Sequence, residues 1–211
     1  MNSIEFPELY FRETEIDGVG PWLWIRSDNG AWDGPTQDWM TSHRDKYLKH
    51  CKNKRTVICA GGNLGLYPRL LSNHFQRVIA FEPDAFNFHC MVNNCAKKNI
   101  IKINAALGSV HECVGMKLNE GFNNVGMHQV DGEGIIPSMV LDDFDLPDVD
   151  LLQFDMEGYE FHAVTGAINT IIRCKPVISV ECPCDVLRQE LLALGYQQVD
   201  QSVSDSIFAI L

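Results

Sequence analysis

A short apolar run that breaks into glycines, Val57-Ile-Cys-Ala-Gly-Gly-Asn-Leu-Gly65, restricts this chain to a small set of folds. Val57–Ala60 reads as a buried strand, and the glycine-rich turn follows with no spacer. Leu66, Leu70, Leu71 and Phe75 then recur at helical spacing, which predicts a helix over Leu66–Phe75. Strand, tight glycine turn and helix are the first half of a nucleotide-binding βαβ unit. Gly61 and Gly65 can take backbone angles closed to other residues and let main chain come close to a ligand. The second half is Arg77-Val-Ile-Ala-Phe-Glu82-Pro83, a short apolar strand ending in an acid. Glu82 follows Gly61 by 21 residues, the separation at which such folds set a carboxylate on ribose hydroxyls. The dinucleotide fingerprint G-x-G-x-x-G is not met, because Asn63 stands where its second glycine belongs. The turn therefore points to a nucleoside ligand without a pyrophosphate, and away from a nicotinamide-dependent oxidoreductase.

The alternation continues from there. Strands are predicted at Thr56–Ala60, Val78–Phe81, Ile100–Ala106, Asp150–Phe154 and Pro176–Val180, and helices at Asp84–Lys98, Tyr159–Thr170 and Asp185–Leu194. Asp84 caps its helix, and Gly195 ends the last one. Residues 111–138, with five glycines, read as irregular. Tyr196–Gln201 and Ser206–Leu211 are separated by so short a link that they pair as an antiparallel hairpin. The expected fold is α/β: an open, mostly parallel sheet with helices on both faces and a C-terminal hairpin. Two regions follow: an N-terminal extension over residues 1–55 and the sheet domain over 56–211. In the extension, Pro21–Arg26 reads as a strand, and Gly34-Pro35 opens a helix. Trp22, Trp24, Trp32 and Trp39 either pack the extension onto the core or form a lid over the pocket, with Gln37 or Asp33 facing inward.

Composition narrows the function. The chain of 211 residues carries a net charge of −11, unevenly placed. Leu118–Ile172 contains eleven acids and no lysine or arginine, which favours a cationic ligand or simply confers solubility. Arg44, Lys46, Lys49, Lys52, Lys54 and Arg55 crowd ahead of the glycine turn. Their pattern fits the solvated face of a helix, and one short basic patch on an acidic chain does not suit wrapping a nucleic-acid backbone. No apolar run reaches the length of a membrane span, and the N-terminus lacks a signal-peptide pattern. A cytoplasmic protein with reduced thiols is expected, since the eight cysteines show no repeated C-x-x-C pairing. Only Cys182-Pro-Cys184 is close-set.

In an open parallel sheet the ligand sits beyond the carboxyl ends of the strands. The polar residues there are Asn63, Glu82, Asp155, Glu157 and Glu181. Val57–Gly65, Ala80-Phe-Glu-Pro83, Ala105-Ala-Leu-Gly108, Leu141-Asp-Asp143, Asp150–Glu160 (with its D-x-E-G-x-E run) and Lys175–Glu181 together resemble the FkbM-type S-adenosylmethionine-dependent methyltransferases. The resemblance covers residue 56 to the C-terminus. It implies a Rossmann-like class I methyltransferase fold, with a seven-stranded sheet whose last strand is antiparallel. It also implies S-adenosyl-L-methionine as cofactor and methylation of a hydroxyl on a sugar or other small polar acceptor. By the same resemblance, Gly61, Asn63 and Gly65 approach the methionine part of the cofactor, and Glu82 takes the ribose hydroxyls. Ala106 lies near the adenine, and Asp155 lies near the cofactor amino group or the acceptor. The family usually has an acid two residues before the first glycine, where this chain has Cys59.

The chemistry agrees. The cofactor is net cationic and its demethylated product is neutral, so an acidic pocket attracts the one and holds the other less tightly. Methyl transfer is a direct displacement in which alignment supplies much of the rate. A hydroxyl acceptor also benefits from a base. Asp155, Glu157 and His162 are the catalytic candidates, with His128 a further histidine. A divalent metal held by Asp155, Glu157 and Asp142 or Asp143 is an alternative way to acidify the hydroxyl. A nucleic-acid or protein acceptor, and a non-catalytic nucleoside-binding module, are the alternatives of other classes.

Overall fold

The computed structural model describes residues 9–12, 22–25, 37–117, 125–202 and 204–211. In chain order these form β1 (Leu9–Arg12), β2 (Trp22–Ile25), α1 (Gln37–Leu48), β3 (Thr56–Ala60), α2 (Leu66–Leu71), β4 (Arg77–Phe81), α3 (Ala85–Asn94), β5 (Ile100–Ile103), β6 (Ala106–Leu107) and β7 (Glu112–Lys117). There follow β8 (Gln129–Glu133), β9 (Ile136–Met139), β10 (Val149–Phe154), α4 (Glu160–Thr165), α5 (Ile168–Cys174), β11 (Val177–Glu181), α6 (Asp185–Ala193), β12 (Gln197–Ser202) and β13 (Asp205–Ala209).

The main sheet has seven strands in the order β12-β13-β11-β10-β3-β4-β5. β3, β4, β5, β10 and β11 run parallel, and β13 is antiparallel to both of its neighbours. The expected open sheet with a terminal antiparallel hairpin is therefore present. From β3 the chain first builds outward through β4 and β5, then returns to place β10 and β11 on the other side. The order thus reverses between β3 and β10, and such a switch point opens a crevice at the carboxyl ends.

β3 and β10 are buried along their whole length, as expected of strands covered on both faces. Alternate residues feed two cores. Ile58, Ala60, Leu152, Phe154 and Ile178 pack with Ala163 and Val164 of α4, Ile171 of α5 and Leu187 and Leu191 of α6. Val57, Cys59, Leu151 and Val177 pack on the opposite face with Tyr47 of α1, Leu71 of α2 and Met91 of α3. Cys59, in the position where the family usually has an acid, is thus an ordinary core residue.

Four differences from the sequence expectations have local causes. The helix after the glycine turn stops at Leu71, where the Ser72 hydroxyl turns back onto the Arg69 carbonyl. The helix expected over Tyr159–Thr170 is two, α4 and α5, broken at Gly166. A Cβ there would lie 1.9 Å from the Gly108 carbonyl oxygen, so the bend is where the chain closes on its neighbour. The third strand ends at Ile103, because Ala106–Leu107 leaves the main sheet and pairs with β9. Residues 111–138 are not irregular throughout: β6, β9, β7 and β8 form a four-stranded sheet in that order. Trp32 and Asp33 of the expected lid lie outside the described residues, as do the side chains of Trp22, Trp24, Gln37 and Trp39.

Candidate cofactor and active site

A cleft opens at the carboxyl ends of β3, β4 and β10, the place where an open parallel sheet binds its ligand. Gly61, Asn63, Glu82, Asp155 and Glu157 line it, as does His128. Five of the eight site residues expected from the sequence thus line one cleft.

The glycine turn is fastened from both sides. Gly61 and Gly62 donate backbone N–H bonds to the Phe81 carbonyl, at 3.1 and 2.8 Å. Gly61 has φ +85°, and a Cβ on it would meet the Asp155 carbonyl oxygen at 1.7 Å, so no other residue fits. Asn63 takes a left-handed conformation (φ 47°) and donates its backbone N–H to Glu82 Oε2 at 2.6 Å. Its own Oδ1 is buried with no partner among the described residues. Glu82 is 4% exposed, and its Oε1 accepts the Asp84 N–H at 2.8 Å. Burial pushes the Glu82 carboxyl up to about 8, although the two N–H bonds pull it down.

Asp84 caps α3 by accepting from the Phe86 and Asn87 N–H groups, both at 2.9 Å. Its other oxygen lies 3.2 Å from His128 Nδ1. Burial would raise the Asp84 carboxyl, but His128 and the two N–H donors outweigh it and leave it below the usual range. His128 precedes β8, so this contact ties the small sheet across the cleft. Met116 and Val130, register partners on β7 and β8, supply the apolar part of that wall.

The D-x-E-G-x-E run divides its labour. Glu160 is buried and turns back to accept the Met156 and Gly158 N–H groups, at 2.9 and 3.1 Å. That bond, with left-handed Glu157 (φ 55°) and Gly158 (φ 103°), forms the loop. Asp155 and Glu157 are left facing the cleft, and one oxygen of each lies within 4.8 Å of one oxygen of Glu181, at the end of β11. Asp155 is open to the cleft and enclosed elsewhere. That burial and the adjacent Glu181 carboxylate raise it well above the usual carboxylate range. Glu157 is pushed up to about 7, by burial first and then by Glu181 and Glu160. Among the described residues the charges acting on both are carboxylates, so this end of the cleft is acidic.

The remaining expected residues lie elsewhere. Gly65 (φ 95°) opens α2 and gives close passage to Cys95 and Met91, away from the cleft lining. Ala106 is buried in β6. His162 is exposed on α4 and stacks on Tyr159, with ring centroids 4.5 Å apart, and does not line the cleft. Asp142 and Asp143 do not join the acidic group. Asp142 accepts the Asn169 and Thr170 N–H groups at the start of α5, and Asp143 pairs with His111. The third carboxylate is Glu181, which the strand-end pattern had singled out. Asn87, Met116 and Val130 were not foreseen: no local motif marks them, and they reach the cleft through helix phase and strand register.

A family model described as the methyltransferase FkbM domain matches residues 67–197. The chain belongs to the FkbM methyltransferase family. The FkbM domain so defined includes Glu82, Asp155, Glu157 and Glu181 but begins after the glycine turn. Among solved structures, the chain is similar to a methyltransferase FkbM from Methylobacillus flagellatus KT, with 17% identity over 75% of this chain and 44% of that one and a TM-score of 0.50. It is also similar to the tRNA (uracil-54, C5)-methyltransferase of Pyrococcus abyssi, with 12% identity over 94% of this chain and 43% of that one and a TM-score of 0.52. A third likeness is to the ribosomal protein L11 methylase of Lactobacillus delbrueckii subsp. bulgaricus, with 9% identity, 84% and 80% coverage and a TM-score of 0.51. At such identities the likeness is one of fold. The chain spans less than half of the FkbM structure it matches, and no curated protein sequence matches it.

FkbM membership and the class I fold imply S-adenosylmethionine, and the cleft residues fit that ligand. Glu82 keeps acceptor capacity on both oxygens after its two backbone bonds, Asn63 offers an unpartnered oxygen, and the carboxylates provide for positive charge. Among the described residues no helix is long and apolar enough to cross a membrane.

Proposed function

We propose that this FkbM domain is an S-adenosylmethionine-dependent methyltransferase that acts on the hydroxyl of a small polar acceptor such as a sugar. One observation carries the reading: Glu82, Asp155 and Glu157 line the same cleft, at the switch point of the sheet. When bound, the cofactor supplies an electrophilic methyl group on a sulfonium. Glu82 takes the ribose hydroxyls, and the Asn63 oxygen accepts from the cofactor ammonium. Asp155 and Glu157 stabilise the positive charge, and Glu157, poised near neutrality, takes the acceptor's proton. Met116 and Val130 give the acceptor an apolar wall and exclude water.

A nucleic-acid acceptor finds less support. None of the described residues lining the cleft is a lysine or arginine. Three residues of the basic run are engaged elsewhere: Lys46 on the Gln201 carbonyl, Lys49 on Asp200 and Arg55 on Asp150.

Calorimetric titration with S-adenosylmethionine and its demethylated product, followed by a methyl-transfer screen over sugars and other hydroxyl compounds, tests the proposal. Cofactor binding with transfer to a hydroxyl is the expected result. No binding between pH 6 and 9 would overturn the cofactor assignment, and transfer confined to RNA or protein would overturn the acceptor class.

A further inference from the structure

At the other end of the sheet a second cavity, of ≈ 250 Å³, opens at the amino ends of β3, β10 and β11. It lies about 20 Å from the cleft along the six-residue β10, and its chemistry is the reverse. Two separate stretches bring basic side chains to its lining. His50, Lys52 and Arg55 come from the loop between α1 and β3, and Lys175 comes from the turn between α5 and β11. Buried Pro176, Val177 and Ala209 supply the apolar part of the lining.

The basic groups are arranged there and, for the most part, unsatisfied. Arg55 is fixed in place: its backbone N–H and Nε donate to Asp150 Oδ2 at 2.7 and 3.0 Å, and its Nη2 to Asp150 Oδ1 at 2.5 Å. Asp150, the acid of the lining, thus spends both oxygens on Arg55, and Arg55 Nη1 keeps its donors. Lys52 and Lys175 have neither a hydrogen bond nor an ion pair among the described residues. Lys175 ends α5 at φ 49°, a left-handed position that glycine fills at least cost, yet a lysine side chain stands there. His50 Nε2 is enclosed without a hydrogen-bond partner among the described residues. Asp200, 3.7 Å away and paired with Lys49, is beyond hydrogen-bond reach. A buried polar atom of that kind points to a partner that is missing. On a chain of net charge −11, this concavity is positive and concentrates anions.

We propose that this cavity is a second ligand site, which binds the phosphate group of a small anion. Lys52 and Lys175 supply the charge, Arg55 Nη1 and the Asn53 amide donate hydrogen bonds, and His50 donates from Nε2 in the tautomer that carries its proton there. A phosphate dianion offers only acceptors, and the free groups of this lining are donors. Free phosphate and a phosphorylated metabolite share that chemistry, the latter with a carbon skeleton for the apolar part of the lining. A nucleic-acid strand fits less well, because it needs a basic track with stacking surfaces along the backbone. The site is independent of the cofactor reading of the cleft.

Titration of the full chain with inorganic phosphate, glucose 6-phosphate and glucose, followed by amide NMR at low salt, tests this. Saturable binding of a phosphate compound with a Kd of about 1 mM or tighter is expected, and none of glucose. The shifted amides should fall at residues 50–55 and 174–177 and not at the glycine turn of the cleft. Tighter binding of glucose 6-phosphate than of inorganic phosphate would assign the site to a phosphorylated metabolite, and the reverse order to the free ion. Lys52→Ala and Lys175→Gly should each weaken binding by about fivefold or more, whereas Lys52→Arg should retain it. Lys98→Ala, an exposed lysine outside the cavity lining, should leave it unchanged. The same spectra show that each variant is folded. No saturable binding, an equal loss in Lys98→Ala, shifts confined to the cleft, or equal binding of glucose and glucose 6-phosphate overturns the inference. So does binding of an RNA oligonucleotide by a protein that binds neither phosphate compound.

Discussion

Glu82 combines two roles that are usually kept apart. It accepts two backbone N–H bonds that fix the glycine turn and the start of α3, and it faces the cleft with the remaining lone pairs. Glu82→Gln keeps the shape but loses the charge and one acceptor. It should weaken S-adenosylmethionine binding by about tenfold or more, about 1.4 kcal/mol, with an unchanged circular-dichroism spectrum. Gly61 carries a different constraint. Gly61→Ala drives a methyl into the Asp155 carbonyl at a left-handed backbone position, and should cost about 3 kcal/mol or more of stability in denaturant unfolding. Both residues were legible in the sequence, because a glycine turn followed at fixed distance by an acid is a local pattern with a mechanism. The inward turn of Glu160 was not, since the sequence shows three acids in one run and nothing that ranks them. His162 shows the converse. Its place on the helix after the motif looked favourable, but the helix phase points it outward onto Tyr159.

Among the elements, α5 shows how an acid near a site can be purely structural. Asp142 accepts two N–H groups at the start of that helix. Asp142→Ala should therefore destabilise the protein by about 1 kcal/mol in chemical denaturation and leave cofactor affinity unchanged. A loss of affinity would instead return Asp142 to the cleft as a ligand. The small sheet β6-β9-β7-β8 was the element least legible in advance. Its strands are short, partly exposed and rich in glycine, so neither periodicity nor propensity marks them. The glycines serve pairing: a Cβ on Gly115 would meet the Asp131 carbonyl at 2.6 Å, and one on Gly134 the Val114 carbonyl at 2.4 Å. What reads as loop composition is close approach of backbones, set by long-range register that the linear sequence does not reveal. The parallel strands, by contrast, were evident because strands buried on both faces are continuous apolar runs.

Across the whole molecule, charge is sorted along the strand direction. At the amino ends of β3, β4 and β10, Arg55 pairs with Asp150 and Arg77 with Asp148. At the carboxyl ends, Glu82, Asp155 and Glu157 have raised proton affinities. This polarity has a consequence for stability. A carboxyl whose folded value lies above its unfolded value binds its proton more tightly when folded, so stability falls as pH rises from the unfolded value toward the folded one. For Glu82 that window runs from 4.5 to about 8, and for Glu157 from 4.5 to about 7. The acids with lowered values, Asp84 and Asp200, contribute stability that is complete above their unfolded range and is lost only at lower pH. His74 is lowered by burial and acts in the opposite sense within the window, so the unaltered protein alone does not isolate the acids. Comparison with Glu82→Gln does, because the glutamine does not titrate. Between pH 5 and 8 the melting temperature of the ligand-free protein should fall relative to that of Glu82→Gln by about 7–14 °C. Saturating S-adenosylmethionine should narrow the difference, since it favours the ionised carboxylate. Parallel melting curves for the two proteins across that range would show that Glu82 is ionised in the empty cleft and that the acidic end of the sheet is already neutralised.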